Sequence, residues 1–115
     1  KCIRDSLSVI CCYAPANCGD DEDKTDVYRS LSRTIASVPP RDMLAVCGDF
    51  NAKISSASNT RFSYHVQTND NGERMLELLD EHRLIVTNTR FQKPSSKLWT
   101  YEDPKRARHQ IDFIL

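Results

Sequence analysis

The feature that most constrains the fold is a continuous apolar run at residues 43–47, which is followed directly by Gly48, Asp49, Phe50 and Asn51. An uninterrupted apolar run predicts a strand buried on both faces, as in a sheet that helices cover on either side. Gly48 permits a sharp turn of the backbone or a close approach by a ligand. The run therefore predicts a central strand with polar side chains just past its carboxyl end, where active-site groups often lie.

The segments around this strand alternate between strand and helix patterns. Apolar residues recur at helical spacing over residues 23–38, with Asp23 as the predicted N-cap, and over residues 70–83, where Asp70 and Glu73 resemble a capping box. The other predicted strands lie at residues 6–13, 84–86, 97–101 and 110–115, the last two paired around Asp103-Pro104, and residues 53–69 are predicted to be a surface loop. This β-α-β-α-β-β-β order predicts an α/β sandwich with helices outside.

The size and composition are those of one globular domain. The 115 residues carry 16 basic and 16 acidic side chains, and 39% of them are hydrophobic. This balance excludes a disordered charged tail, and no apolar run approaches the roughly 18 residues that a membrane span needs. Because the first residue is Lys1 and residues 110–115 resemble a strand that stops abruptly, we expect a fragment of a longer protein.

The cysteines point away from a disulfide framework or a zinc site. Cys2, Cys11, Cys12, Cys18 and Cys47 make an odd count without a Cys-x-x-Cys pair. Cys11 and Cys12 would point to opposite faces of a strand. We interpret Cys11, Cys12 and Cys47 as small buried apolar residues. With no Asn-x-Ser/Thr sequence present, these features favour a reducing, intracellular compartment, nuclear or cytoplasmic.

Asp49 and Asn51 have two interpretations. In a strand-like conformation, residues two apart point the same way, so the carboxylate could orient a water while the amide holds a substrate oxygen. Alternatively, the segment is a turn in which both side chains hydrogen-bond their own backbone. Considered alone, the segment favours the turn.

Three segments, taken in order, resemble the endonuclease/exonuclease/phosphatase family of metal-dependent phosphodiesterases. They are Tyr13-Ala14-Pro15, residues 48–52 (Gly-Asp-Phe-Asn-Ala) and residues 110–115 (Gln-Ile-Asp-Phe-Ile-Leu). Between them, residues 71–76, 87–91 and 99–100 resemble the nuclease domains of LINE-type retrotransposons and of craniofacial development protein 2-like sequences. The resemblance implies a partial four-layer α/β/β/α sandwich, with residues 1–115 as its central and C-terminal-central part.

The resemblance also implies roles for four residues. Tyr13 corresponds to the tyrosine that contacts the scissile phosphate, and Asp49 to the aspartate that orients or deprotonates the attacking water. Asn51 corresponds to the asparagine that holds phosphate oxygens or the water, and Asp112 to the aspartate that orients the catalytic histidine. If so, these residues lie within side-chain reach of one another, and mutual repulsion raises the pKa of Asp49 or Asp112.

Two parts of the family pattern have no counterpart in the chain: the upstream metal-binding Glu and the final Asp-His pair. His65, His82 and His109 do not replace that histidine. The implied cofactor, Mg²⁺ or Mn²⁺, would therefore be held weakly by Asp49 and Asn51. We expect the isolated chain to be inactive or nearly so.

The function implied by the resemblance is that of a DNA endonuclease, with a reverse transcriptase domain in the same parent polypeptide and no membrane partner. A basic C-terminal third supports DNA as the substrate, since residues 83–115 hold seven Lys/Arg against three acids, although on charge alone solvated loops are the simpler explanation. The candidate DNA contacts are Trp99, Lys105, Arg106 and Arg108, although Trp99 also suits a core. The alternatives are a phosphatase or phospholipid esterase of the same fold, or a catalytically dead relic that serves as a binding or structural module.

Overall fold

The computed structural model describes residues 6–56 and 61–115. Two helices, α1 (Asp21–Ser37) and α2 (Asp70–His82), accompany five strands. The strands are β1 (Leu7–Tyr13), β2 (Met43–Asp49), β3 (Tyr101–Glu102), β4 (Arg108–His109) and β5 (Asp112–Ile114), and 3₁₀-turns occupy Thr87–Thr89 and Ser95–Lys97. This mixed architecture confirms the predicted α/β class. No helix of the described ranges is both long and apolar enough to cross a membrane.

The main sheet has three strands in the order β1-β2-β5. Strands β1 and β2 are parallel, with α1 as the connection between them, and β5 is antiparallel to β2. Strands β3 and β4 form a separate two-stranded hairpin. The β1-α1-β2 unit follows from the sequence pattern, because parallel neighbours need a crossover, usually a helix.

The two faces of the main sheet differ in what covers them. On the covered face, Ile10, Val46 and Phe113 pack into a core with both helices. The opposite face, here called the open face, carries the residues that alternate with the covered ones. Two of them, Leu7 and Met43, are half exposed or more. The others are Val9, Cys11, Tyr13, Ala45, Cys47, Asp49, Asp112 and Ile114. The prediction that residues 43–47 are buried on both faces is therefore wrong, because helices cover only one face of the described sheet.

Both helices begin at a different capping residue from the predicted one. The side chain of Asp20, rather than that of Asp23, accepts the Glu22 N–H and caps α1. For α2, Asn69 is the N-cap, because its side chain accepts the Gly72 N–H. Each correction has the same reason: the capping residue needs extended backbone, which the structure gives to Asp20 and Asn69.

The predicted C-terminal strands are the least accurate part of the sequence analysis. Residues 84–86 form no strand, and residues 97–101 contain the end of a 3₁₀-turn and the first residue of β3. Residues 110–115 contribute β5 to the main sheet instead of pairing with residues 97–101. Beside β5, Asn88 accepts the Ile114 N–H and Thr87 donates to the Ile114 carbonyl, both at 2.8 Å. These side chains take the place of a neighbouring strand.

The long polar segment at residues 53–69 is more than a surface loop. Ile54 is fully buried in the core, and Ser55 forms a β-bridge with His65. The backbone N–H of Asn69 donates to the Lys53 carbonyl at 3.1 Å, which joins the two ends of the segment. The segment therefore packs onto the domain at both ends; its residues 57–60 lie outside the described ranges.

Candidate active site

Strand register places three of the predicted site residues in one row across the main sheet. Tyr13 of β1 is opposite Asp49 of β2, and Asp49 is opposite Asp112 of β5. Directly paired residues point to the same side of a sheet, here the open face. Tyr13 is 76% exposed, while both aspartates are half-buried. The structure thus brings together side chains from residues 99 positions apart, as the sequence analysis expected.

Asn51 lies just beyond this row and is fixed by its hydrogen bonds. Its backbone has the left-handed φ of 46°, and its N–H donates to Asp49 Oδ1 at 2.9 Å. Its side-chain Nδ2 donates to the Ala14 carbonyl at 2.7 Å. The turn interpretation of this segment is therefore correct for Asp49, and the same turn ties Asn51 to the end of β1.

Two asparagines at the start of α2 support this turn, and the sequence analysis did not assign them to the site. Asn71 is fully buried and donates from Nδ2 to the Pro15 carbonyl at 2.8 Å and to the Asn51 carbonyl at 3.3 Å. Asn69 donates to the same Asn51 carbonyl at 3.2 Å. The sequence signal that could have identified them is the run of polar residues at 69–71, Asn-Asp-Asn, which ends directly before Gly72. Gly72 is itself constrained, because a Cβ there would lie 2.1 Å from the Lys53 carbonyl oxygen.

Gly48 serves the packing of two strands rather than a sharp turn. It lies inside β2 with a φ of 146°, and a Cβ there would be 1.9 Å from the carbonyl oxygen of Cys12 in β1. Only glycine fits this close approach of backbone to backbone. Gly48 therefore helps to set the register that aligns Tyr13 with Asp49.

The electrostatics of the row centre on Asp49. Burial raises the pKa of its carboxyl, and the nearby Asp112 carboxylate raises it further, while the hydrogen bond from Asn51 opposes both effects. The predicted rise is present, but burial and not charge repulsion is its larger cause. Burial also raises the pKa of the Cys12 thiol, on the covered face beneath, to about 11, with a smaller contribution from Asp49.

Asp112 is held in place through its backbone. The Thr100 hydroxyl oxygen accepts the N–H groups of both Ile111 and Asp112 at 3.2 Å, and Asn88 Nδ2 donates to the Asp112 carbonyl at 3.4 Å. Asn88, Thr100 and Asp112 line a shallow depression of about 250 Å³ beside Gly48. Neither Asn88 nor Thr100 was predicted as a site residue.

The three histidines have partners elsewhere. His82 Nε2 lies 2.7 Å from the Ser32 hydroxyl, and His109 Nε2 lies 3.3 Å from Asp103 Oδ2. His65 Nε2 accepts the Gln110 N–H at 3.1 Å, and burial lowers the pKa of His65 to about 4. These contacts agree with the expectation that none of them serves as the partner of Asp112.

The oxygen donors of the row suit a hard cation, but they are few. Within residues 6–56 and 61–115, no group of three His, Cys, Asp or Glu side chains is arranged to hold a metal ion. Asp49 and Asp112 supply two carboxylates, and Asn51 adds an amide next to them. Mg²⁺ commonly binds through one or two carboxylates and keeps several waters, so these donors fit a hydrated Mg²⁺.

The candidate DNA contacts Lys105, Arg106 and Arg108 lie in the β3–β4 hairpin and its turn. Asp103 holds this turn by accepting the N–H groups of Lys105 and Ala107 at 2.8 and 2.9 Å. The Arg108 guanidinium lies 4.7 Å from the ring centroid of Trp99 and donates to Glu102 at 3.2 Å. Trp99 is half-buried, whereas Lys105, Arg106 and Arg108 are exposed. Their contact with DNA stays a prediction.

The comparisons with known proteins agree with this architecture. The family described as endonuclease-reverse transcriptase matches residues 7–115. The chain therefore belongs to this branch of the endonuclease/exonuclease/phosphatase family.

Two relatives are similar over nearly the whole chain. Craniofacial development protein 2 from Bos taurus is 36% identical over 115 residues, covering 96% of this chain and 19% of the relative. Craniofacial development protein 2 from Tragulus javanicus is 34% identical, covering 96% and 20%. The chain thus spans about a fifth of the length of these relatives. No solved structure shows a significant match.

Proposed function

We propose that this chain is part of a divalent-metal-dependent phosphodiesterase that cuts the DNA backbone. The observation that carries the proposal is the row of Tyr13, Asp49 and Asp112 across three strands, with Asn51 at its end. Phosphoryl transfer needs positioning and charge stabilisation more than covalent chemistry, and rigid strands supply positioning.

Each residue of the row has a role that its surroundings support. Asp49, half-buried and with a raised pKa, is placed to accept a proton from an attacking water or to orient it. The exposed Tyr13 hydroxyl is free to donate to a phosphate oxygen. Asn51, held by Ala14 and Asp49, offers its amide to the same phosphate or water. Asp112 is the proposed partner of a histidine from outside this chain.

Mg²⁺ or Mn²⁺ is the proposed cofactor, with Asp49 and Asn51 among its ligands and Asp112 nearby. When bound, the cation neutralises phosphate charge. Because two carboxylates bind a hydrated cation weakly, further anionic ligands are proposed to come from another part of the parent polypeptide.

DNA is the proposed substrate because the family description names an endonuclease and a reverse transcriptase, and because Lys105, Arg106 and Arg108 are exposed on one hairpin. Such cations would contact phosphates regardless of sequence. Since Arg108 already contacts Trp99 and Glu102, Lys105 and Arg106 are the more available pair. A reverse transcriptase in the same polypeptide is the proposed functional partner.

The test is nicking of supercoiled plasmid, with Mg²⁺ or with a chelator, by the 115-residue chain and by the polypeptide encoded by its complete reading frame. We expect the complete polypeptide to nick and Asp49→Ala to slow it by about 10²–10⁴-fold. Asp80→Ala, an exposed acid of α2 outside the row, is the matched control and should retain most activity. The isolated chain should be slower by at least about 10²–10³-fold, as expected when a transition-state donor is missing.

Other outcomes would point elsewhere. Hydrolysis of inositol phosphates without nicking would replace the DNA endonuclease with a phosphatase of the same fold. Absence of both activities from the complete polypeptide would favour a catalytically dead module. Full activity of the isolated chain, abolished by Asp49→Ala, would show that this chain needs no outside residues and that the assigned mechanism is wrong.

A further inference from the structure

A second pair of reactive side chains lies on the open face, two residues before Tyr13 in β1 and two residues before Asp49 in β2. Cys11 of β1 and Cys47 of β2 are opposite each other in the parallel register. Their sulfur atoms are 3.8 Å apart, within hydrogen-bonding distance for thiols. Cys11 is exposed and Cys47 is half-buried. Neither is the small buried apolar residue that the sequence analysis expected.

The positions of the two residues suit a covalent link. Neighbouring strands lie about 4.7–4.9 Å apart, which falls inside the Cα–Cα range of roughly 4.4–6.8 Å that disulfides span. Both side chains occupy the same face, so the sulfurs need only move together by rotation about their side-chain bonds. The strands require no change of register for this closure.

We propose that Cys11 and Cys47 form an oxidisable dithiol that hydrogen peroxide converts into an intramolecular disulfide. The exposed Cys11 sulfur attacks one peroxide oxygen, the O–O bond breaks, and water leaves with the thiol proton, which gives a sulfenic acid. The Cys47 sulfur then attacks the Cys11 sulfur, the S–O bond breaks, and a second water leaves with the Cys47 proton. The two thiols supply both electrons that reduce the peroxide.

The other described cysteines lack this arrangement. Cys12 is on the covered face, and its partner in the register is Gly48. Cys18 is exposed in the loop between β1 and α1. Exposure alone would make Cys18 as reactive towards peroxide as Cys11, but only Cys11 has a thiol directly opposite it on the next strand. Pairing, rather than reactivity, is therefore the distinguishing prediction.

The experiment treats the reduced 115-residue chain with a slight excess of hydrogen peroxide, then digests it without reductant and maps linked peptides by tandem mass spectrometry. We expect a monomer that has lost two hydrogen atoms, with peptide 5–24 linked to peptide 42–53 through Cys11 and Cys47. Dithiothreitol should reverse the link. The oxidised monomer should also melt several degrees higher, because the bridge closes a long loop of the unfolded chain.

Variants separate pairing from general oxidation. Cys12→Ser and Cys18→Ser should form the link as fast as the unsubstituted chain, whereas Cys11→Ser and Cys47→Ser should form none. A triple variant, Cys2→Ser with Cys12→Ser and Cys18→Ser, leaves only the pair and should still close. The unsubstituted chain decides the matter if a variant fails to fold: a link from Cys12 or Cys18 to Cys47, or sulfinic acid without any link, overturns the proposal.

Discussion

The two faces of the main sheet use the same three strands for different purposes. In β5, Phe113 faces the core and is 1% exposed, whereas the next residue, Ile114, lies on the open face and is 50% exposed. Polar candidates for chemistry, Tyr13, Asp49 and Asp112, all lie on the open face. The comparison indicates that helix packing on one face supplies the stability of the described chain, while the open face carries the candidate site residues.

The largest expected effect comes from replacing neighbours in β5. Phe113→Ala should lower the free energy of unfolding by about 3–5 kcal/mol, because it leaves a cavity in the core. Ile114→Ala should lower it by about 1 kcal/mol or less, since half of that side chain is already in water. Urea denaturation followed by circular dichroism measures both.

If the Phe113→Ala variant does not fold, a milder substitution still permits the comparison. Phe113→Leu keeps most of the apolar volume and should lie between the two alanine variants. Equal losses for Phe113→Ala and Ile114→Ala would mean that the open face is covered in solution, and the contrast between the faces would fail.

A second prediction concerns pH and the loop that packs onto the covered side. The pKa of His65 is lowered from its ordinary value of 6.5 to about 4, mainly because the ring is partly buried and further because Lys53 and His109 place positive charge nearby. As the pH falls below 6.5, the unfolded chain binds this proton first. The free energy of unfolding should therefore decrease between pH 6.5 and 4 and level off below, by less than the roughly 3 kcal/mol of the full shift, because solvent screens the partly exposed ring.

His65→Gln is the matched variant, because the side-chain oxygen of Gln can accept the Gln110 N–H, as the His65 ring does, without titrating. The difference between the two pH profiles isolates His65 from other acidic groups. Histidine NMR of the unsubstituted chain gives the pKa directly. Titration of His65 near 6.5 would show that the loop does not bury it in solution.

The third prediction tests how much the hydrogen bonds of the buried Asn71, which support the turn at Asn51, contribute to stability. Asn71→Ala removes the donors to the Pro15 and Asn51 carbonyls and should cost about 1–3 kcal/mol, because these acceptors are left without that partner. Asn17→Ala removes the exposed acceptor of the Asn71 N–H and should cost less. Similar losses would indicate that the burial of Asn71 carries no energetic weight.

The accuracy with which the sequence predicted each helix and strand depended on the length of its hydrophobic pattern. Strands β1 and β2 and both helices were located within about two residues, because the helical and alternating patterns span many residues and residues 43–47 form one uninterrupted apolar run. The row of site residues followed, because strand ends meet at one edge. The strand predicted at residues 84–86 was wrong, because a short apolar run does not specify which strand it pairs with. The Asn88 side chain, rather than a strand at 84–86, accepts the Ile114 N–H of β5.

The smallest predicted effect lies within the row on the open face. The pKa of Asp49 is raised mainly by burial, so the folded chain disfavours the ionised carboxylate. A raised pKa in the folded state adds stability at acid pH, and this contribution is lost as the pH rises through that pKa. Asp49→Asn keeps an oxygen that can accept the Asn51 N–H, but carries no charge.

Asp49→Asn should therefore match the unsubstituted chain at about pH 3.5 and be slightly more stable at pH 7, by a few tenths of a kcal/mol or less because solvent screens the partly exposed carboxylate. Asp112→Asn should lower the pKa of Asp49 only part of the way to its ordinary value, since burial is the larger cause. Urea titrations at both pH values and carboxyl-carbon NMR measure these changes. If Asp49→Asn destabilises the chain equally at both pH values, the carboxylate supports the fold instead of opposing it, and its position on the open face would no longer indicate a site kept for chemistry at a cost in stability.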